Sequence, residues 1–327
     1  MHLNRRTFGA YALSVAGGAT TVTVARAEDF PNRAIRFICP YAAGGLTDVI
    51  TRAYAKRLSE RIGQPVLVDN RTGASGIIGM EAVAKSPADG YTIALVAQGL
   101  ASVNPTLYPS LPYNTQRDFV PISHIANFSL VLVGNADAPP ATFADFVAMA
   151  KAKPGSVTYG SAGNASTSHL ITEMLKARLG ITAVHIPFRG EAQVFPELMG
   201  GRLTVTFATT GGAISLIQSG KLRPLAMATK SRSKLLPQVP TLGELGVHDF
   251  DVPGWYGILA PSATPKPIAE RLTQEFIAIS REPAMQEAML ARGIDLVGSS
   301  QAEFGQLIST DTERWKKVIG QAGIKPD

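Results

Sequence analysis

Residues 35–62 read IRFICPYAAGGLTDVITRAYAKRLSERI and contain the pattern that decides the fold. The β-branched run 35–39 predicts a buried strand, and the small residues up to Gly45 predict a turn. Over residues 46–62 the apolar side chains recur on one helical stripe, and Gly63 can end that helix in a left-handed conformation. A strand, a glycine-rich loop and a helix in this order form the repeating unit of α/β proteins.

The same unit recurs along the chain and predicts an α/β fold with largely parallel strands. Loops rich in glycine or hydroxyl residues, most of them leading into a helical period, follow the predicted strands at 66–68, 157–159, 184–186 and 203–207. Residues 98–119 are rich in Pro, Asn and Tyr, show neither period, and predict an ordered connection. Ser300 and Glu303 form a capping box for a last amphipathic helix over 301–319.

The N-terminus resembles a cleavable export signal. Arg5 and Arg6 precede an uncharged apolar run, residues 7–24, and the small-x-small site Ala25-Arg26-Ala27 follows it. The paired arginines resemble a twin-arginine signal, and a plain secretory signal is the alternative. We therefore expect residues 1–27 to be removed and the mature protein to be exported.

The charge of the chain argues against a nucleic-acid partner once this signal is set aside. The 327 residues contain 31 Lys+Arg and 25 Asp+Glu, a formal charge of +6. Removing Arg5, Arg6 and Arg26 leaves 28 basic against 25 acidic residues, a charge of +3. The remaining charges are dispersed, so we expect no nucleic-acid partner. No apolar run of the mature sequence reaches the roughly 18 to 20 residues that span a bilayer.

Common cofactor and metal motifs are absent from the sequence. Gly73-x-x-Gly76-x-x-Gly79 is not the dinucleotide fingerprint, and no GxxxxGK[ST] phosphate loop occurs. The histidines lack metal-binding spacing, and Cys39 lies in an apolar strand where a core role is expected. We therefore expect neither a metal nor a cofactor.

Ser166 and His169 come closest to a hydrolase pattern. They stand three residues apart at the start of a predicted helix and so share a helical face. The sequence has no G-x-S-x-G turn, and no carboxylate partner can be located in it. A helix-capping role for Ser166 is favoured, and the protein is expected not to be an enzyme, with a periplasmic hydrolase as the alternative.

Two of the glycine-rich loops, residues 42–48 and 160–168, are candidates for binding an anion. A helix N-terminus has unpaired backbone N–H groups and a partial positive charge. Small residues let an anionic ligand approach these groups. Two such loops facing one another can therefore hold a carboxylate without a lysine or an arginine.

An ordered series of short motifs runs through essentially the whole mature chain. The series comprises Phe30-Pro31-Asn32-Arg33, Pro40-Tyr41-x-Ala43-Gly44-Gly45-x-x-Asp48, Asp69-Asn70-Arg71-x-Gly73-Ala74-x-Gly76-x-x-Gly79, Asp89-Gly90-Tyr91-Thr92, Asn104-Pro105, Leu111-Pro112-Tyr113, Asp118-Phe119-x-Pro121, Tyr159-Gly160-Ser161-x-Gly163, Ser168-His169-Leu170, Val239-Pro240-Thr241 and Trp255-x-Gly257. Together these motifs resemble the Bug-type, TctC-like periplasmic solute receptors of tripartite tricarboxylate transporters.

The resemblance implies a two-lobed type II periplasmic-binding-protein fold, an α/β architecture with the ligand cleft between the lobes. It places residues 28–127 and 228–327 in lobe 1 and residues 128–227 in lobe 2. The implied function is that of a monomeric receptor which binds a small organic carboxylate and delivers it to a TctA/TctB-like membrane permease. A receptor that signals to a sensor or partner protein is the alternative.

The resemblance also implies which residues hold the carboxylate. In such receptors two strand-to-helix loops, one from each lobe, contact the ligand mainly through backbone amides, hydroxyls and water. The implied contacts are Ala43, Gly44, Gly45 and Thr47 on one side, Ser161, Gly163, Ser166 and Thr167 on the other, and Arg189 and Thr209 at the rim. Arg189 is expected either to reach the far end of the ligand or to serve as an interlobe or surface charge.

The residues after the predicted strand 203–207 indicate a ligand class. The family often has an acidic residue there, whereas this chain has Ala208-Thr209-Thr210-Gly211-Gly212. A buried ammonium group needs an anionic or acceptor partner. The sequence therefore predicts a non-amino organic acid, a dicarboxylate or an aromatic carboxylate, in preference to an amino acid.

Overall fold

A computed structural model describes residues 30–164, 166–188 and 190–324 of the chain. The expected export signal, residues 1–27, and the predicted contact Arg189 lie outside the described residues. Within the described ranges, no helix combines the length and the hydropathy that a membrane span requires.

The described strands form two sheets. They are β1 (Ile35–Cys39), β2 (Val66–Asn70), β3 (Thr92–Ala97), β4 (Phe119–Phe128), β5 (Leu130–Asn135), β6 (Thr158–Ser161), β7 (Val184–Pro187), β8 (Val205–Thr209), β9 (Leu222–Met227), β10 (Gly254–Pro261) and β11 (Ile294–Leu296). A six-stranded sheet has the order β11-β4-β10-β3-β1-β2, and a five-stranded sheet has the order β7-β6-β8-β5-β9. The six-stranded sheet thus combines strands from the first and last parts of the chain.

The described helices lie between strands in sequence, except for the last helix, which follows the last strand. They are α1 (Leu46–Ile62), α2 (Ile77–Ala84), α3 (Asn104–Leu107), α4 (Thr115–Asp118), α5 (Phe143–Ala152), α6 (Thr167–Leu179), α7 (Glu191–Met199), α8 (Thr210–Gln218), α9 (Lys266–Ser280), α10 (Pro283–Leu290) and α11 (Gln301–Ala322). Strand β1 and helix α1 have the predicted bounds, and Gly63 ends α1 at φ 68°. The predicted capping box of Ser300 and Glu303 is present at the start of α11.

The prediction of largely parallel strands was wrong for five of the nine strand pairings within the described residues. Strands β1, β2 and β3 are parallel, as are β6, β7 and β8. Strands β10, β4 and β11 run antiparallel to their neighbours, and so does β5 against β8 and β9. The cause is the path of the chain: only Ser129 separates β4 from β5, so the chain enters the second sheet directly rather than through a helix.

Residues 98–119 are more regular than the sequence indicated. They contain a π-helical turn at 99–103 and the short helices α3 and α4. Their side chains pack into a core on the six-stranded sheet that includes Leu100, Tyr113 and Trp255. A separate core on the five-stranded sheet includes Val131 and Val194.

The spacing Gly73-x-x-Gly76-x-x-Gly79 serves close packing. A Cβ atom at Gly79 would lie 2.7 Å from the Arg71 carbonyl oxygen and 2.8 Å from the Cβ of Pro40. A Cβ at Gly76 would lie 3.0 Å from a methyl group of Leu100. These glycines let the start of α2 pack directly against the loop that follows β1, which is the first candidate anion loop.

Gly79→Ala is expected to lower the free energy of unfolding by about 1 to 3 kcal/mol, because the new methyl group meets backbone atoms that cannot turn aside. Urea unfolding followed by circular dichroism measures the change. Gly320→Ala on α11 is the matched control, since a Cβ there has no atom within 4 Å. A Gly79→Ala protein as stable as this control would contradict the packing role.

Candidate functional site

The candidate site lies at the strand ends where the chain crosses from the six-stranded sheet to the five-stranded sheet. The carboxyl ends of β1, β2 and β3 lie at the same end of the six-stranded sheet as Gly254, the first residue of β10, because β10 is antiparallel to β3. In the other sheet Leu130, at the start of β5, pairs with Thr209 at the end of β8. Ser129, between the sheets, accepts a hydrogen bond from the Thr210 N–H at 2.9 Å. The loops that follow the parallel strands of both sheets are therefore brought to the same region.

The N-terminus of α1 is exposed and lacks a side-chain cap. Gly45 is the N-cap residue and its conformation is extended, without a capping hydrogen bond from a side chain. The predicted contacts Ala43, Gly44 and Gly45 are exposed, and Thr47 is partly buried. Helix α1 has 17 residues, so its dipole is fully developed at this end. This terminus has free N–H groups and the space to bind an anion.

Asp48 fixes the shape of the loop that leads into α1. Its Oδ2 accepts hydrogen bonds from the Gly44 N–H at 2.9 Å and from Arg52 Nε at 2.9 Å, and its Oδ1 accepts from Asn70 Nδ2 at 2.9 Å. The side chain is buried, and the bond from Arg52 is the main cause that lowers the pKa of Asp48 to about 2. The lowered pKa corresponds to about 2 kcal/mol of stability at neutral pH.

Asp48→Asn is expected to lower the free energy of unfolding by about 1 to 2 kcal/mol at pH 7, because the amide loses the charge-assisted bonds. The folded-state pKa lies below the ordinary value, so this stability is present above about pH 4 and is lost as the pH falls towards 2. Unfolding measured at several pH values should show that the difference in free energy of unfolding between the native protein and Asp48→Asn, which is the gap in stability, closes below pH 4. A gap that is constant with pH would contradict the role assigned to the ionised carboxylate.

The second predicted loop follows β6 and is shaped by its own serines. Ser161 is fully buried. Its Oγ donates to the Gly163 carbonyl at 2.9 Å and lies 2.6 Å from Nε2 of His185. Ser166 caps α6 by accepting from the His169 N–H at 3.4 Å and donates to the Gly163 carbonyl at 2.7 Å. Of the four predicted contacts, Gly163, Ser166 and Thr167 are partly accessible, whereas the Ser161 side chain is not.

The geometry of Ser166 and His169 differs from that of a nucleophile and its base. The bond between them runs from the backbone N–H of His169, as expected for a cap. The His169 ring stacks on the His185 ring with centroids 3.8 Å apart, and Tyr159 stacks on His185 at 4.8 Å. The two histidines therefore form part of an aromatic stack beneath the loop.

Glu191 is a feature of this region that the sequence reasoning missed. It is the first residue of α7, and Gly190 before it has φ 123° and no side-chain cap. The carboxylate accepts hydrogen bonds from the backbone N–H and from the hydroxyl of Thr209, the latter at 2.8 Å. Burial raises the pKa of Glu191, and these two bonds oppose the rise. An acidic residue directly after Gly190 was the available signal, since acids are favoured in the first turn of a helix.

The pKa of Tyr256 responds to residues on both sides of the site. Burial raises the pKa of Tyr256 to about 12, the nearby Thr47 side chain opposes that rise, and the negative charge of Glu191 adds to it. Tyr256 lies on β10 of the six-stranded sheet and Glu191 on α7, beside the five-stranded sheet. Thr47 and Glu191, whose carboxylate bonds Thr209, therefore both affect the ionisation of Tyr256. The neighbouring Trp255 is a buried core residue, and its Nε1 donates to the buried Asp311 at 2.6 Å.

A large crevice lies away from these loops. It has a volume of about 1140 Å³ and lies between α6, α11 and residues 230–251. Its walls include Lys176, Arg314 and Lys317. None of the predicted contact residues lines it, so its volume does not bear on their assignment.

The chain is similar to known receptor proteins over most of its length. The sequence model of one protein family, described as the tripartite tricarboxylate transporter family receptor, matches residues 50–324 of this chain. Protein BugT of Bordetella pertussis is 35% identical over 314 residues, which cover 96% of this chain and 95% of BugT.

Solved structures show the same architecture. An R. palustris protein solved with adipate has a TM-score of 0.82 and 32% identity, covering 91% of this chain and 100% of that chain. MatC from Rhodopseudomonas palustris, solved with bound malate, has a TM-score of 0.77 and 25% identity, covering 89% of this chain and 100% of that chain. The similarity confirms the expected two-lobed type II periplasmic-binding-protein fold.

Proposed function

Because the chain belongs to the tripartite tricarboxylate transporter family of receptors, we propose that it binds a small organic carboxylate between its two sheets and delivers it to a membrane permease of the TctA/TctB type. The family and its structural neighbours are solute-binding receptors rather than enzymes. In this proposal the protein acts in the periplasm as a monomer, after removal of residues 1–27. Residues 28–127 and 228–327 form one lobe and residues 128–227 the other.

The observation that carries this proposal is the exposed N-terminus of α1, near the point where the chain crosses between the two sheets. The backbone N–H groups after Gly45 point out of a 17-residue helix and have no side-chain cap. Each contact of an anion with such a terminus contributes about 0.3 to 1 kcal/mol when exposed, and more in a closed cleft. The carboxylate group at one end of the ligand is proposed to bind there, in contact with Ala43, Gly44, Gly45 and Thr47.

The loop after β6 provides the opposing contacts in the proposal. Gly163, Ser166 and Thr167 are proposed to contact the ligand, while the buried Ser161 holds the Gly163 carbonyl in place. Thr209 is proposed to contact the ligand at the rim, as is Arg189, which lies outside the described residues. Ligand contacts from both lobes favour the closed form, because only contacts that differ between the open and closed forms can shift their equilibrium.

A thermal-shift screen over organic acids tests the proposed function. We expect at least one small carboxylate, with adipate and malate among those tested, to raise the unfolding temperature by several degrees. A ligand at 100 times its Kd adds about 2.7 kcal/mol to the stability of the native state. The matched control for each acid is its uncharged amide, which is expected to leave the transition unchanged.

Failure of every acid to shift the transition would overturn the carboxylate assignment. A hydrolase that uses Ser166 would instead turn over ester or amide substrates, and Ser166→Ala would abolish that turnover. We expect purified protein to hydrolyse none of them.

A further inference from the structure

Glu191 places a carboxylate at the end of β8, where the sequence alone showed no acid. Both of its oxygens are bonded to Thr209, and a Cβ at Gly212 would lie 2.6 Å from Oε2. The acid therefore lies at the N-terminus of α8, although it belongs to α7. The sequence predicted a non-amino acid in preference to an amino acid because no acid follows the strand at this rim, and the position of Glu191 removes that reason.

The Glu191 carboxylate has no cationic partner within the part of the chain that the structure describes. Its hydrogen bonds come from the neutral N–H and hydroxyl of Thr209. A carboxylate has about four acceptor sites on its two oxygens, so two bonds leave further acceptor capacity. A partly buried carboxylate without a cation gains from any additional donor that reaches it.

The position of Glu191 relative to the other lobe places it beside the ligand's proposed path. Its partner Thr209 ends β8 beside Thr210, whose N–H and hydroxyl both donate to the carbonyl of Ser129, where the chain crosses from the six-stranded to the five-stranded sheet. Thr47 lies in the first turn of α1, at the proposed carboxylate site. A ligand held by α1 and contacting Thr209 therefore meets the Glu191 carboxylate at its other end.

We propose that Glu191 and Thr209 form a subsite for a hydrogen-bond donor on the ligand, so that the preferred carboxylate also carries a hydroxyl or an ammonium group. The inference rests on the proposed function and specifies its ligand class. A second, ionised carboxylate in this subsite would face the like charge of Glu191, which disfavours plain dicarboxylates. Glu191 therefore selects between ligands in two ways, because it attracts a donor group and repels a second carboxylate.

Calorimetric titration with matched acids tests this subsite. Succinate, malate and aspartate share four carbons and differ at one carbon by hydrogen, hydroxyl or ammonium; adipate and 2-aminoadipate form a six-carbon pair. In at least one series, the native protein should bind the acid with the donor group at least about tenfold more tightly than the plain acid. Comparison of malate with aspartate shows which donor is preferred.

Glu191→Gln should reduce this preference to about onefold or reverse it, because the amide presents N–H donors where the carboxylate accepted. The ratio of two Kd values on one preparation does not depend on the fraction of folded protein, so a loss of stability cannot imitate the result. Glu197→Gln is the control on the same helix, since Glu197 pairs with Arg202 at the far end of α7. Its ratio should equal that of the native protein.

Two results would overturn the subsite without affecting the proposed function. One is equal affinity of the native protein for plain and donor-bearing acids, and the other is an unchanged ratio in Glu191→Gln. Failure of the native protein to bind any of these acids and all those of the thermal-shift screen would overturn the proposed function, and the subsite with it.

Discussion

Gly211→Ala is expected to weaken carboxylate binding by about tenfold or more while leaving the fold intact. A Cβ atom at Gly211 would lie 2.0 Å from the Arg292 carbonyl oxygen, and one at Gly293 would lie 2.6 Å from the Gly211 nitrogen. Gly211 lies at the start of α8, beside the five-stranded sheet, whereas Arg292 and Gly293 precede β11 of the six-stranded sheet. The substitution would therefore separate the two halves at this contact, and a ligand that requires the closed form would lose affinity.

Calorimetry with the acid identified by the thermal-shift screen measures this effect. Gly305→Ala is the control, because its Cβ would have an ordinary contact, 3.5 Å from Pro121 Cγ. Small-angle scattering should show that the Gly211→Ala protein does not become more compact at saturating ligand, whereas the control does. Native affinity in Gly211→Ala would show that this close approach is not needed for binding.

Asp311→Ala should have the largest effect on stability, a loss of about 3 kcal/mol or more in the free energy of unfolding. The buried Asp311 carboxylate accepts a 2.6 Å hydrogen bond from Trp255 Nε1 and another of 2.6 Å from Gln98 Nε2. Its removal leaves two buried donors without an acceptor, and each unsatisfied group costs about 1 to 3 kcal/mol. These bonds join α11, β10 and the end of β3, so their loss loosens the core beneath the site.

Denaturant unfolding of Asp311→Ala and of a surface control measures this difference. Asp295→Ala removes the salt bridge between Asp295 and Lys234, whose side chains are 47% and 69% exposed, respectively. Because both groups are exposed, this substitution should change the free energy of unfolding by less than about 1 kcal/mol. Equal stability of the two variants would contradict the structural role of Asp311.

The parts of the fold that depend on local sequence were predictable. Strand β1 and helix α1 have the predicted bounds because strand propensity, helical period and the left-handed Gly63 all act within a few residues. The orientation of β4, β5 and β10 was not predictable in this way. It depends on the chain passing between sheets at Ser129 and after β9, and such long-range pairing leaves no periodic signal.

The candidate site likewise has features that follow from local sequence and features that depend on long-range pairing. The exposed N-terminus of α1 followed from the loop and helix pattern alone. The burial of Ser161 depends on His185, which reaches it only because β7 pairs with β6. The role of Glu191 depends on the end of β8 lying beside the start of α7, a contact between residues 18 positions apart. Residues that act through neighbouring strands are therefore recognised only from the folded chain.

The most direct test of the account is a crystal structure of the protein with the acid that the screen identifies. We predict that the acid lies between the two sheets, with a carboxylate within about 3 Å of the backbone nitrogens at the start of α1. The opposite end should lie near Thr167 and Thr209. Density for the acid in the crevice between α6 and α11, with the α1 terminus bound only to water, would contradict the account.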